Sequence, residues 1–167
     1  MKENVRFNRC VRLVVMVAGM VLFGAKSGAG EPTLCQPHEE VYFSCPSAGK
    51  IISICASGNI SPDNGYVQYR FGVKDKIEFE YPSEPFPPRK WFSISDISAG
   101  GLSFTHLKFS SNRFHYVLYQ GDISGIYVKR NGRVVSNHQC DHGAHQPLNP
   151  RVFRGIKTVA PIDGIDN

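Results

Sequence analysis

Between residues 40 and 136 apolar and polar positions alternate in short runs, and turn-forming residues separate the runs. Residues 40–45 and 50–55 flank the Pro/Ser/Gly linker at 46–49 and read as a hairpin. Residues 66–71 and 76–81 make a second pair around Gly72 and Asp75. The later run alternates without a break: Ile77, Phe79 and Tyr81 on one face, Lys76, Glu78 and Glu80 on the other. Period two at that regularity predicts a strand with one wet face, so Glu78 and Glu80 are expected in water beside Lys76. Four prolines at 82, 85, 87 and 88 predict a loop or an edge, followed by a short strand over 91–94. Residues 102–109 and 113–119 surround Ser110, Ser111 and Asn112 as a third hairpin. Residues 125–130 meet 133–136 across Asn131-Gly132, the strongest short hairpin signal, because both central residues must accept positive φ. No run of ten or more residues carries a helical period. The expected fold class is all-β, antiparallel, with about eight strands in an up-and-down barrel or a compact β-sandwich.

The ends read differently. Residues 1–12 are basic, and 13 apolar or small residues without a charge follow from Leu13 to Ala25. Small residues then recur at Ser27, Gly28, Ala29 and Gly30, which completes the plan of a secretory signal peptide over 1–30. A bilayer needs about 20 apolar residues, so a stable membrane anchor is not expected after cleavage. Residues 141–167 carry Pro147, Pro150 and Pro161 with three glycines and few large apolar side chains beyond Leu148, Val152 and Phe153. They are expected as a C-terminal tail that is partly ordered at best, leaving 31–140 as the β-domain.

Charge changes once the leader is set aside. The chain holds 19 Lys+Arg and 14 Asp+Glu, but five of those bases and one acid fall in residues 1–30. The rest is nearly neutral, which removes the main support for a nucleic-acid or anionic-lipid surface. The periplasm or the exterior is the expected location.

Of five cysteines, Cys10 belongs to the leader, and the exported chain keeps Cys35, Cys45, Cys55 and Cys140. An even number in an oxidising compartment predicts two disulfides, and three pairings are open. No Cys-x-x-Cys offers a redox pair or zinc knuckle. No Gly-x-Ser-x-Gly elbow and no phosphate loop is present. His138, His142 and His145 surround Cys140 and Asp141, a set whose types suit a transition metal. Solvated loop histidines are the plainer reading, because a half-cystine is not a thiolate ligand. No cofactor, no metal and no catalytic residue is expected.

Aromatic residues number 19, with only Phe7 and Phe23 in the leader. On a strand, Phe114, Tyr116 and Leu118 oppose His115, Val117 and Tyr119, so one set packs inward and the other is available as an aromatic strip. Tyr66, Tyr69, Arg70, Arg113, Tyr116 and Tyr119 are the candidate binding residues; the competing reading is that the core absorbs the aromatics.

Val41-Tyr-Phe-Ser-Cys45, Ile54-Cys-Ala-Ser57, Gly65-Tyr-Val-Gln-Tyr-Arg-Phe-Gly72, and Gly125-Ile-Tyr-Val128 with Asn131-Gly-Arg-Val134 and Cys140 carry a resemblance. Over roughly residues 35–140 the chain resembles an uncharacterised family of small secreted bacterial β-proteins. More weakly, it is similar to the membrane-bound and periplasmic inhibitors of c-type lysozyme, through Phe43-Ser-Cys45 and the late Cys140. That similarity implies a Cys45–Cys140 bridge, which leaves Cys35 with Cys55. The inhibitory Ser-Gly-x-x-Tyr and Lys-Gly segments do not carry over, since the nearest stretch is Ser111-Asn-Arg-Phe-His-Tyr116.

The expected function is an exported, non-catalytic binding protein, with a lysozyme or another cell-wall hydrolase as protein partner, in the role of inhibitor or immunity protein. Alternatives are an envelope structural or accessory protein, and a metal-binding enzyme using the His138–His145 cluster.

Overall fold

A computed structural model describes residues 31–97, 104–143 and 145–160. The expected signal peptide over 1–30 therefore lies outside the described residues, as does the start of the strand expected from residue 102. Two antiparallel meanders account for nearly all of the fold. The first sheet runs β1 (Glu40–Ser47), β2 (Lys50–Ala56), β3 (Val67–Val73) and β4 (Lys76–Tyr81), in that spatial order. The second contains β5 (Ser93–Asp96), β6 (Thr105–Ser111), β7 (Phe114–Gln120), β8 (Gly125–Arg130) and β9 (Arg133–Gln139). A two-residue strand, β10 (Lys157–Thr158), pairs in parallel with β5 at its edge. The sheets stack as a sandwich and do not close into a barrel.

Local chemistry accounts for the turns. Ala48–Gly49 and Asn131–Gly132 both place their two residues at positive φ, the geometry that suits the twist of a two-residue hairpin. At Gly72, φ is +152°, and a Cβ there would sit 2.3 Å from the Lys76 carbonyl oxygen. Only glycine fits where β3 and β4 slip register between Phe71 and Gly72.

The core lies between the sheets. Phe43, Ile52, Ile54 and Tyr69 face it from one side, and Ile94, Leu107, Phe109, Leu118 and Ile126 from the other. Aromatic rings bridge the gap: Tyr81 stacks on Phe109 with centroids 4.8 Å apart, and Phe79 on Tyr116 at 5.3 Å. Burying a single large apolar side chain is worth about 1.5–3 kcal/mol, so this interface holds most of the fold's stability.

Two disulfides pin the frame, Cys35–Cys55 and Cys45–Cys140, one of the three pairings that four cysteines leave open. The second joins β1 to the residue after β9, and so ties one sheet to the other. Around it, Asp141 N–H donates to Pro46 O at 2.8 Å and Ser47 Oγ donates to Gln139 O at 2.7 Å.

The boundary expected at residue 140 shifts. Leu148, Val152 and Ile156 are buried members of the core cluster, the last two within or just beyond a one-turn helix, α1 (Val152–Gly155). Gln146 exchanges two backbone hydrogen bonds with Ser44, and Asn149 N–H donates to Tyr42 O, so this segment covers the open edge of β1. Three apolar residues four apart bury one face even in so short a segment, and an edge strand supplies the backbone partners. Phe153, by contrast, is 42% exposed.

Candidate binding surface

The candidate residues divide between interior and surface. On β3, Tyr69 and Phe71 point to the core, while Gln68 and Arg70 point to the opposite face of the first sheet. That face is covered around Arg70 and open only at its rim, where Lys76 and Glu78 are exposed. Residues 31–39 lie across it, with Leu34 buried, Cys35 bonded to Cys55, Leu34 N–H donating to Ser53 Oγ, and Ser44 Oγ donating to Pro32 O. Arg70 is consequently 5% exposed and anchors the covering segment. Its guanidinium donates to both Glu39 carboxylate oxygens at 2.5 and 2.9 Å. It also donates to Leu34 O at 3.2 Å, Gln68 Oε1 at 2.8 Å and Glu80 Oε1 at 2.7 Å. All five N–H donors are used. Arg70 and Tyr69 therefore leave the candidate surface. Glu80, expected in water, is partly covered as the ion-pair partner of Arg70, whereas Glu78 pairs with Lys50 at the rim.

Glu39 is the acid of this clamp. Burial alone would raise its pKa, but the Arg70 hydrogen bonds, the Gln36 backbone N–H, the Arg70 charge and the Tyr66 hydroxyl outweigh burial, and the net shift is downward. A carboxylate with a depressed folded pKa contributes stability that is present above the unfolded value of about 4.3 and lost as pH falls through the lower folded value. Urea denaturation at a series of pH values should show an acid limb below about pH 4 that Glu39→Gln flattens. An unchanged limb in that variant would place the acid sensitivity elsewhere.

Tyr66 donates to Glu39 Oε1 at 3.0 Å and is part of the same clamp. On β7 the two faces separate as alternation requires. Tyr116 turns inward and stacks on Phe109, with centroids 4.6 Å apart and planes 3° from parallel. Tyr119 turns to the outer face of the second sheet, where it stacks on Tyr127 and its hydroxyl donates to Asn137 Oδ1 at 3.2 Å. Arg113 is exposed at the turn after β6. The six candidates thus form no single patch: three serve the clamp or core around β3, Tyr116 serves the core, and Tyr119 and Arg113 remain outside.

The chemistry-bearing groups are distributed in the same way. Ser110 Oγ hydrogen-bonds His115 Nδ1 at 2.8 Å across the β6–β7 pair. His138 packs on Phe71 with ring centroids 5.1 Å apart, and His145 lies 6.5 Å from Phe43. His142 and His145 line a small hollow of about 190 Å³ with Asp122 and Asp141. Among the described residues, the one group of three metal-type ligands with donor atoms within 4.8 Å of each other is Cys35, Glu39 and Cys55. Two of these are joined in a disulfide and the third is the partner of Arg70, so the chemistry of that set does not suit an ion.

What stands outward is a feature the periodicity did not reveal. The proline-rich loop after β4 presents Phe86, 44% exposed, stacked on Trp91 with centroids 5.6 Å apart. Pro62, Asp63, Pro87, Arg89 and Lys90 complete a groove of about 350 Å³ with them. Arg89 reaches Asp63 at 2.9 Å, and both side chains are more than half exposed. Proline rigidity sets this loop, and the short 3-10 turn at Pro88–Lys90 directs Arg89 and Lys90 outward. An aromatic between prolines, followed by two bases and a tryptophan, was the available signal.

No protein-family model matches the chain, and searches of curated proteins and of solved structures likewise find no match.

Proposed function

We propose that this chain is an exported, non-catalytic binding protein, and that its partner is a protein, with cell-wall-degrading enzymes as the target class. The observation that carries the reading is the outward stack of Phe86 on Trp91 beside Arg89 and Lys90. Aromatic residues and arginine are the types enriched at the energetic centre of protein interfaces, and a proline-held loop loses little entropy on docking. Glu39 and Glu80 are meanwhile engaged in the frame with Arg70, and Cys35, Cys45, Cys55 and Cys140 in disulfides.

Two disulfides indicate an oxidising environment, and among the described residues no helix is long and apolar enough to cross a membrane. Within that frame we assign the protein to the periplasm or the exterior.

Affinity capture against a panel of muramidases and amidases, paired with a lytic assay, tests the reading. The expected result is a retained enzyme whose lysis is slowed, with Phe86→Ala/Arg89→Ala weakening retention by roughly tenfold or more at unchanged melting temperature. No complex and no inhibition across the panel would sink it.

A further inference from the structure

Trp91, Arg89 and Lys90 also line a second hollow, of about 280 Å³, and its walls are cationic. Arg89 and Lys90 reach it from the 3-10 turn and Lys157 from β10, with Lys108 of β6 at its floor; no Asp or Glu is among the described lining residues. Strand register explains the convergence. Lys157 is paired with Ser93, and Ser93 with Lys108, so three adjacent strands bring Lys, Ser and Lys side by side. Neighbouring strands are about 4.8 Å apart, which holds two ammonium-bearing residues roughly 10 Å from each other across a hydroxyl. Lys108 is fully buried and interacts within the fold, so the argument for a ligand rests on Arg89, Lys90 and Lys157. These three are exposed at the mouth of the cavity. The Arg89–Asp63 pair is solvent-exposed and holds Arg89 only weakly.

Three exposed cations around a hydroxyl-bearing hollow favour an anion. The remaining walls specify more. Trp91 and Tyr81 present an edge-to-face pair, with centroids 5.9 Å apart, and Ser93 and Ser110 add hydroxyls. Aromatic faces beside hydroxyls suit a ring that is apolar on its faces and polar at its rim. The volume, about 280 Å³, falls just below the range of about 300–1,000 Å³ for ligand pockets and leaves room for a single ring. We propose that this cavity binds a sugar ring that carries an anionic group, a carboxylate or a phosphate, with Lys90, Lys157 and Arg89 on the charge and Trp91 against the ring. This goes beyond the protein-partner reading and does not depend on it.

Trp91 is the chain's single tryptophan, so its fluorescence reports the site directly. The full chain, with its disulfides formed, is titrated with glucuronic acid, glucose 6-phosphate, glucose and inorganic phosphate. Saturable changes are expected with the two anionic sugars and not with glucose, and the stronger of the two identifies the anion the site prefers. Lys157→Ala, which touches this cavity and not the Phe86 groove, should weaken binding at least tenfold, and Lys157→Arg should restore most of it. Binding unchanged in Lys157→Ala and Lys90→Ala, or no saturable response to either anionic sugar, overturns the proposal. Inorganic phosphate binding as tightly as glucose 6-phosphate overturns the sugar component.

Discussion

Replacing Cys45 and Cys140 together by alanine should lower the unfolding free energy by about 4–5 kcal/mol, the largest loss expected from any pair of side chains in this domain. The bridge closes a loop of 95 residues in sequence separation, against 20 for Cys35–Cys55. In the chain-entropy view the loss grows with the logarithm of loop length, so the shorter bridge is worth about 3 kcal/mol. Position adds to length. Cys45–Cys140 is the covalent tie between the first sheet and the end of β9, and without it Ser47, Pro46 and Asp141 must hold that corner by hydrogen bonds alone. A small domain has roughly 5–15 kcal/mol in total, so the doubly substituted protein should sit at the margin of folding. Equilibrium urea denaturation of the two double variants measures both values. A Cys35/Cys55 variant less stable than the Cys45/Cys140 one would show that the covering segment, and not the inter-sheet tie, dominates.

Arg70→Ala should cost about 3–5 kcal/mol, the range for removing one member of a buried ion pair. Its partner Glu39 has a side chain only 1% exposed and would be left as a carboxylate without its counter-charge. The backbone carbonyl of Leu34 and the amide oxygen of Gln68 would lose donors at the same time. The strength of the effect comes from stranded groups, not from the net worth of the pair. Arg70→Met/Glu39→Gln should therefore be less destabilised than the sum of its single variants, because the buried carboxylate of Glu39 is gone and the carboxylate left behind, Glu80, is 32% exposed and reaches water. Denaturation of all three variants supplies the cycle. Additive losses would mean that Arg70 and Glu39 act independently, and the clamp would then be no more than two separate contacts.

The motif Gly65-Tyr-Val-Gln-Tyr-Arg-Phe-Gly72 shows how far the residues could be read in advance. Its alternation announces a strand, which is β3, while its terminal glycine, read as lying between two strands, stands inside β3 at the register shift between Phe71 and Gly72. Its Tyr and Arg also suggested a contact surface. Tyr69 instead packs between Phe79 and Phe109, and Arg70 lies beneath residues 31–39. A period of two states that a strand has two faces; it does not state what lies over each.

The C-terminal segment went unread for a related reason. Leu148, Val152 and Ile156 are too few to produce a periodic signal, and they are buried because β1 and β5 leave edges that need partners. The Phe86–Trp91 groove was equally silent, since it is assembled from a proline loop and from Pro62 and Asp63, more than twenty residues earlier.

Local patterning was sufficient for the all-β class, the hairpin positions, the placement of Tyr116 and Tyr119 on opposite faces of one strand, and two disulfides, because these depend on neighbours in sequence and on cysteine count; which of the two tyrosines turns inward was decided by the packing. Sandwich rather than barrel, the cover over Arg70, the docking of residues 145–160 and the cationic hollow at Lys157 came only from the packed chain. Each of them joins residues far apart along the backbone, and the free energy that selects such contacts is the burial of whole faces, which no single run of residues contains.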